Sequence, residues 1–118
     1  MNDEQIARLV GGSALAFGAA AVLTPRALAR LFGLRDVNRE LVYMIRFAGT
    51  ANAALGINLV TARDAEARRR LLLLGAVVDG ANCLLTLGAG LSRRTALLAS
   101  VTNGIVAAVA TVPALRGC

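Results

Sequence analysis

Four long apolar windows alternate with short polar segments along the chain, at residues 6–24, 41–62, 71–92 and 95–115. A helix that crosses a membrane needs about 20 mostly apolar residues, so each window predicts one span. The short connections favour antiparallel neighbours. The pattern therefore predicts an all-α protein, a bundle of four antiparallel transmembrane helices that forms a single domain over residues 1–118.

The segment 25–33, between the first two windows, has the pattern of a short amphipathic helix. Its leucines and Phe32 share one helical face, and its two arginines share another. Pro25 suits the first position of a helix, and Gly33 suits the position after its end. We expect this helix to lie in the membrane interface; a plain loop is the alternative.

The composition agrees with an integral membrane protein. Apolar residues make up 57% of the 118 residues, which is more than a soluble domain usually has. The net charge of +6 comes from arginines, which gather beside the window ends, where basic side chains contact anionic headgroups. Aromatic residues for base stacking are scarce, at 3%. We therefore expect the lipid bilayer, and no nucleic acid, as the partner.

Arginines flank both sides of the predicted bundle in equal numbers, so their count does not decide its orientation. The triplet 68–70 concentrates positive charge on the side of the two termini, and positive residues favour the cytoplasmic side. We therefore expect a multi-pass protein of the cell (cytoplasmic) membrane with both termini in the cytoplasm.

Residues for metal binding and for classical nucleophilic catalysis are scarce. The chain has no His and no Lys, and Cys83 and Cys118 form no paired motif. Zinc, haem and iron–sulfur sites therefore lack their usual ligands. We expect neither a metal nor a cofactor.

A band of polar residues interrupts the apolar windows. Arg46 and Asp79 are the charged residues that lie more than one helical turn inside a window, and Asn52, Asn82 and Asn103 fall at depths between them. At 1.5 Å of rise per residue, Arg46 and Asp79 differ in depth by about 12 Å, which is long for a direct ion pair. Small residues beside Asn52 predict that the second and third spans pack together, with Asn52 near Asp79.

Ionisable groups in hydrocarbon are costly and usually mark a functional site. We therefore predict that Asp79 is a catalytic acid or base and that Arg46 stabilises charge on the ligand. Asn52, Asn82 and Asn103 are the predicted ligand-binding residues. The structural alternative is that Arg46 extends to the nearer interface while Asp79 and Asn82 only hold helices together.

Several short motifs resemble the DoxX-like group of small four-span membrane proteins, and are closest to an uncharacterised branch of it. They are Thr24-Pro25, Leu31-Phe32-Gly33-Leu34, Arg46-Phe47-Ala48-Gly49, Asn52, Leu55-Gly56 and Val78-Asp79. The resemblance implies a four-span fold and no settled activity. That branch often has an acidic residue after the second-helix Arg and sometimes a His in the last helix. Here Asn52 and Asn103 lie in those regions.

Three functions remain open. The first is a site that binds or transforms a lipophilic small molecule, such as an isoprenoid or polyketide intermediate. The second is a non-catalytic accessory or assembly subunit, bound to another membrane protein or to copies of itself. The third, a proton-coupled exporter of the small multidrug type, fits least well. The key carboxylate of such exporters lies in their first helix, whereas Asp79 lies in the third window of this chain.

Overall fold

A computed structural model describes residues 1–88 and 90–116 of the chain, and these residues form five helices. The helices are α1 (Asp3–Leu23), α2 (Pro25–Leu31), α3 (Arg39–Thr61), α4 (Ala65–Gly88) and α5 (Arg93–Arg116). The all-α class is therefore confirmed. The four long helices correspond to the four apolar windows, and α2 occupies the predicted position between the first two.

The short helix α2 begins and ends at the residues that the sequence indicates. Pro25 is its first residue, where the missing N–H costs nothing. Gly33 has a positive φ of 86°, and the N–H groups of Gly33 and Leu34 donate to the carbonyls of Arg30 (3.0 Å) and Ala29 (2.9 Å). This is the bonding pattern of a Schellman cap. The chain turns sharply here, which returns it toward the start of α3.

Two pairs of facing glycines bring α1 and α3 into close antiparallel contact. Gly11 lies against Gly56, and Gly18 lies against Gly49. A Cβ built on Gly18 would lie 2.5 Å from the Gly49 carbonyl oxygen, and one built on Gly56 would lie 2.5 Å from the Gly11 carbonyl oxygen. The glycines of each helix are two turns apart and share a face. The two backbones therefore approach each other at both levels.

The helices α4 and α5 form a second antiparallel pair, and contacts between α3 and α4 are sparse. The prediction that the second and third spans pack together through their small residues is wrong, because the small residues of α3 face α1. Only α1 has glycines at the complementary spacing. A Cβ on Gly75 of α4 would meet the Leu55 side chain at an ordinary 3.6 Å.

The two helix pairs meet in an apolar core that contains residues from all four long helices: Ile6, Ala7, Val10, Leu59, Leu72, Ala76 and Ala110. This core lies in the half of the bundle that holds the start of α1. At the same end, Asp3 pairs with Arg69 (4.0 Å) and with Arg116 (3.6 Å). The start of α1, the start of α4 and the end of α5 therefore lie together.

At the opposite end of the bundle, the segment that includes α2 joins the two helix pairs. The Phe32 ring packs edge-on against Phe17 of α1, with ring centroids 6.3 Å apart. The Thr95 hydroxyl at the start of α5 donates to the Phe32 carbonyl at 2.5 Å. Arg94 donates to the Leu31 carbonyl at 3.4 Å. These contacts connect the end of α2 and Phe32 to α1 and to the start of α5.

Large apolar side chains lie on the outer faces of the long helices; Leu84 and Leu85, for example, are 73% and 71% exposed. Of the four predicted spans, two are long and apolar enough in the described chain to cross a membrane, α1 and α5, with mean hydropathy 1.7 for both, and the bundle of four spans stays a prediction. Only 11% of the α5 segment is buried within the protein. A core helix of a soluble protein is mostly buried instead.

The substitution Gly18→Ala should destabilise the fold. Its Cβ meets backbone atoms of α3 that cannot move independently, so we expect the free energy of unfolding to fall by about 1–3 kcal/mol. The matched control is Gly12→Ala in the same helix, where no atom lies within 4 Å of the new Cβ. The control should be neutral or stabilise by up to about 1 kcal/mol, because Ala has the higher helix propensity. Thermal unfolding followed by circular dichroism measures both, and equal effects would contradict the glycine packing.

Candidate functional site

Most serine, threonine and asparagine side chains of the long helices donate to a backbone carbonyl one turn earlier in their own helix. The side-chain amide of Asn52 donates to the Ala48 carbonyl at 3.0 Å, and that of Asn103 to the Ala99 carbonyl at 2.8 Å. The same bond occurs at Ser13, Thr50, Asn58, Thr61, Thr86, Thr102 and Thr111. Such bonds satisfy these donors without water or a partner helix.

Arg46 extends from α3 to the end of α1. Its Nε donates to the Val22 carbonyl at 3.1 Å. The last turn of α1 contains no basic residue of its own, and its free carbonyls form the negative end of the helix dipole. Arg46 therefore caps α1 from a neighbouring helix. This agrees with the structural alternative, in which Arg46 extends to the nearer interface.

Asp79 lies on the inward stripe of α4, between Ala76 and Cys83, and is partly buried. Among residues 1–88 and 90–116, no hydrogen bond or salt bridge reaches its carboxylate. An ionised carboxylate only accepts hydrogen bonds, so it cannot bond to a carbonyl of its own helix as Asn52 and Asn103 do. Within the described chain, Asp79 shares this lack of a partner with Asn82 and differs in it from Arg46, Asn52 and Asn103.

The five predicted site residues are not joined by side-chain hydrogen bonds in the described part of the chain. Arg46 bonds to α1, and Asn52 and Asn103 bond within their own helices. Asn82 is exposed on α4, three residues after Asp79. The residues that remain open to a ligand are therefore Asp79 and its neighbour Asn82.

Three arginine-lined clefts lie at the end of the bundle where α2 is found, and sequence reasoning did not identify them. The first, of about 560 Å³, lies between the end of α1, α2 and the start of α3, and is lined by Arg26, Arg39, Arg46 and Tyr43 among others. The other two clefts include Arg30, Arg35, Arg93 and Arg94. The spacing of seven between Arg39 and Arg46 places them on one face of α3. This spacing is the sequence feature that could have indicated the first cleft. Asp79 lines none of these three clefts.

The substitution Arg46→Gln should loosen the end of α1. Loss of the charged bond to the Val22 carbonyl and of the dipole interaction should lower the free energy of unfolding by about 1–2 kcal/mol. Hydrogen exchange should quicken at the amides of the last turn of α1. Arg30→Gln is the matched control, since Arg30 is exposed and makes no side-chain hydrogen bond in the described chain, and its effect should stay within about 0.5 kcal/mol. Unchanged exchange in Arg46→Gln would show that Arg46 does not cap α1.

Comparisons of this chain with protein-family models, with curated proteins and with solved structures find no match. The resemblance to the DoxX-like group therefore stays a prediction. The functional proposals rest on the geometry above, chiefly on the isolation of Asp79 and on the arginine-lined clefts around α2.

Proposed function

We propose that this chain is a small integral membrane protein in which α1, α3, α4 and α5 all span the bilayer and α2 lies in its interface. The exposed apolar side chains on the outer faces support this placement, because a soluble protein rarely exposes large contiguous apolar surfaces. Leu73, Leu74, Val77 and Val78 on α4 and Leu97, Leu98, Val101 and Ile105 on α5 are all exposed. In a bilayer these side chains contact lipid tails instead of water.

The dimensions and the polar groups support the same placement. Helices of 21–24 residues are about 32–36 Å long, enough to cross a hydrocarbon core of about 30 Å. The bundle measures 44 Å along its longest axis, which is close to the thickness of about 40–45 Å of a bilayer with its headgroups. Within the helices, most hydroxyl and amide donors bond to their own backbone, as suits an environment without water.

The number of arginines is equal at the two ends of the bundle, so the orientation that we propose rests on the triplet 68–70. The start of α1, the start of α4 and the end of α5 share one end of the bundle, which also holds the triplet 68–70. In our proposal this end faces the cytoplasm, because basic residues near span ends favour that side. The protein would then belong to the cytoplasmic membrane.

In this membrane protein, Asp79 is the acid or base of a site for a lipophilic small molecule. The isolation of Asp79 is the observation that supports this role, because a partly buried carboxylate without a donor is costly to retain unless something else binds it. A ligand with a hydroxyl, an amine or an acidic C–H would supply the missing donor, and could exchange a proton with the carboxylate. Asn82 lies one turn further along α4, where it can orient the same ligand. Arg46 caps α1 and is not part of this site.

A second candidate is an accessory subunit whose partner supplies the donor to Asp79. It is favoured by one observation, that Asp79 lines none of the three clefts described above, while the surface of α4 beside it is open. A helix from another membrane protein, or from a second copy of this chain, could then pack on α4 with a polar residue opposite Asp79. Interhelical hydrogen bonds of this kind stabilise membrane complexes by about 1 kcal/mol each.

An apolar carbodiimide, which partitions into lipid, should modify Asp79 selectively in membrane vesicles. The chain has 7 acidic residues, and the other six lie at helix ends or in connections, where an apolar reagent is dilute and water competes. Mass spectrometry of the intact protein and its fragments should find the adduct on Asp79. Asp79→Asn should remove the adduct, and Asn82→Ala should keep it. Equal modification of all acidic residues would contradict the intramembrane position of Asp79.

The Asp79→Asn variant also separates the two candidate functions. The carboxylate makes no bond in the described chain, so the variant should fold and accumulate normally, with a melting temperature within a few degrees of the parent. For a small-molecule site, the purified parent should carry a lipophilic compound, detected by mass spectrometry of an organic extract, that Asp79→Asn loses. For an accessory subunit, the parent should co-purify with one protein in fixed ratio, and Asp79→Asn should lose that protein. Loss of folded protein in the variant would contradict both.

A further inference from the structure

We propose that the cleft between the end of α1, α2 and the start of α3 binds the phosphate headgroup of an anionic phospholipid. This inference rests on the membrane placement proposed above and is independent of Asp79. The cleft has a volume of about 560 Å³, and its lining includes three arginines from two helices, Arg26 of α2 and Arg39 and Arg46 of α3. Guanidinium groups bind phosphate oxygens through paired, charge-assisted hydrogen bonds.

The protein holds two of these guanidinium groups in place and leaves most of their donors free. Arg26 donates Nη1 to the Val37 carbonyl at 2.7 Å, and Arg46 donates Nε to the Val22 carbonyl at 3.1 Å. Each guanidinium has five N–H groups, so donors remain on both. Arg39 makes no side-chain hydrogen bond or salt bridge within the described chain. Two of the three guanidinium groups are therefore oriented before an anion binds, and all three have free donors.

No acidic side chain in the described lining offsets the charge of the cleft, and the partial negative charge at the end of α1 offsets only part of that on Arg46. That lining contains three arginines and no acidic residue. The neighbouring cleft differs, because Asp36 lies among Arg30, Arg35 and Arg94. The three positive charges repel one another, and a bound anion offsets this repulsion by its attraction to each of them. An anion with two negative charges, such as a phosphate monoester headgroup, is the matching occupant.

An apolar strip leads from the cleft along α3 toward the middle of the bundle, and this favours a lipid over free phosphate. Tyr43, which lines the cleft, stacks on Phe47 one turn deeper, with ring centroids 6.4 Å apart. Their side chains are 67% and 64% exposed, so the strip is open from the side. An acyl chain lying on these rings would continue directly from a phosphate held by the arginines, as in other interfacial sites that combine aromatic and basic residues.

The chain contains a single built-in reporter for this site. Tyr43 is the one tyrosine of the protein, and there is no tryptophan. Lipids with brominated chains quench tyrosine emission on contact. The full chain in uncharged detergent is titrated with brominated phosphatidic acid, and in parallel with phosphatidylcholine that has the same brominated chains. We expect saturable quenching by phosphatidic acid and about tenfold weaker binding of phosphatidylcholine, because its choline offsets the phosphate charge.

Variants of single arginines test the assignment of the cleft. Arg39→Gln should weaken binding of phosphatidic acid about tenfold through the loss of its charge-assisted bonds. Arg26→Gln, a second variant, should weaken it as well. The matched control is Arg30→Gln, which removes the same charge from the neighbouring cleft at the same end of the bundle and should retain the parent affinity. Asp79→Asn should also retain it, so failure of the proposed Asp79 site would leave this result unchanged.

Three results would overturn the proposal. Equal quenching by the two lipids would show that the cleft does not select an anionic headgroup. Equal weakening by Arg30→Gln and Arg39→Gln would show a diffuse attraction to positive surface charge. Displacement of the brominated lipid by inorganic phosphate at comparable concentration would assign the cleft to a soluble phosphate compound.

Discussion

The close packing of α1 on α3 through facing glycines is the contact on which the other features of this protein depend. Gly11 and Gly18 meet Gly56 and Gly49, and at both levels a Cβ would collide with backbone. Because the two helices are antiparallel, this packing places the end of α1 beside the early turns of α3. Arg46 can then reach the Val22 carbonyl, and the arginine-lined cleft forms between α1, α2 and α3. A wider separation of the helices would disrupt both.

The packing through small residues also affects the polar residues inside the apolar windows. Small-residue packing brings backbones together but supplies few partners for side chains, so asparagine, threonine and serine bond to carbonyls of their own helices. These bonds are available to any residue with a donor. Asp79, as a carboxylate, has none to offer, and in the described chain nothing donates to it. The local bonds that give Asn52 and Asn103 a partner therefore leave the Asp79 carboxylate without one.

The two ends of the bundle are built differently. At the end that holds the start of α1, three helix termini meet through exposed salt bridges to Asp3, and such pairs contribute little stability. At the other end, α2 is held by neutral and charged hydrogen bonds, including that of Thr95, which is 5% exposed. Basic side chains there are oriented by backbone carbonyls instead of by acidic residues, which leaves their charge available to an anion.

The helices of this protein could be predicted from local features of the sequence. Helix formation depends on local periodicity and end signals, so the four long helices, the short helix α2, and its limits at Pro25 and Gly33 could all be predicted. The sequence also distinguished Asp79 and Arg46 as unusual. The tertiary structure established which helices pair, although the common spacing of seven between Gly11 and Gly18 and between Gly49 and Gly56 was a sequence signal for one of the pairs. It also placed Arg26 of α2 beside Arg39 and Arg46 of α3, because a contact between helices depends on their packing, which local patterns do not specify.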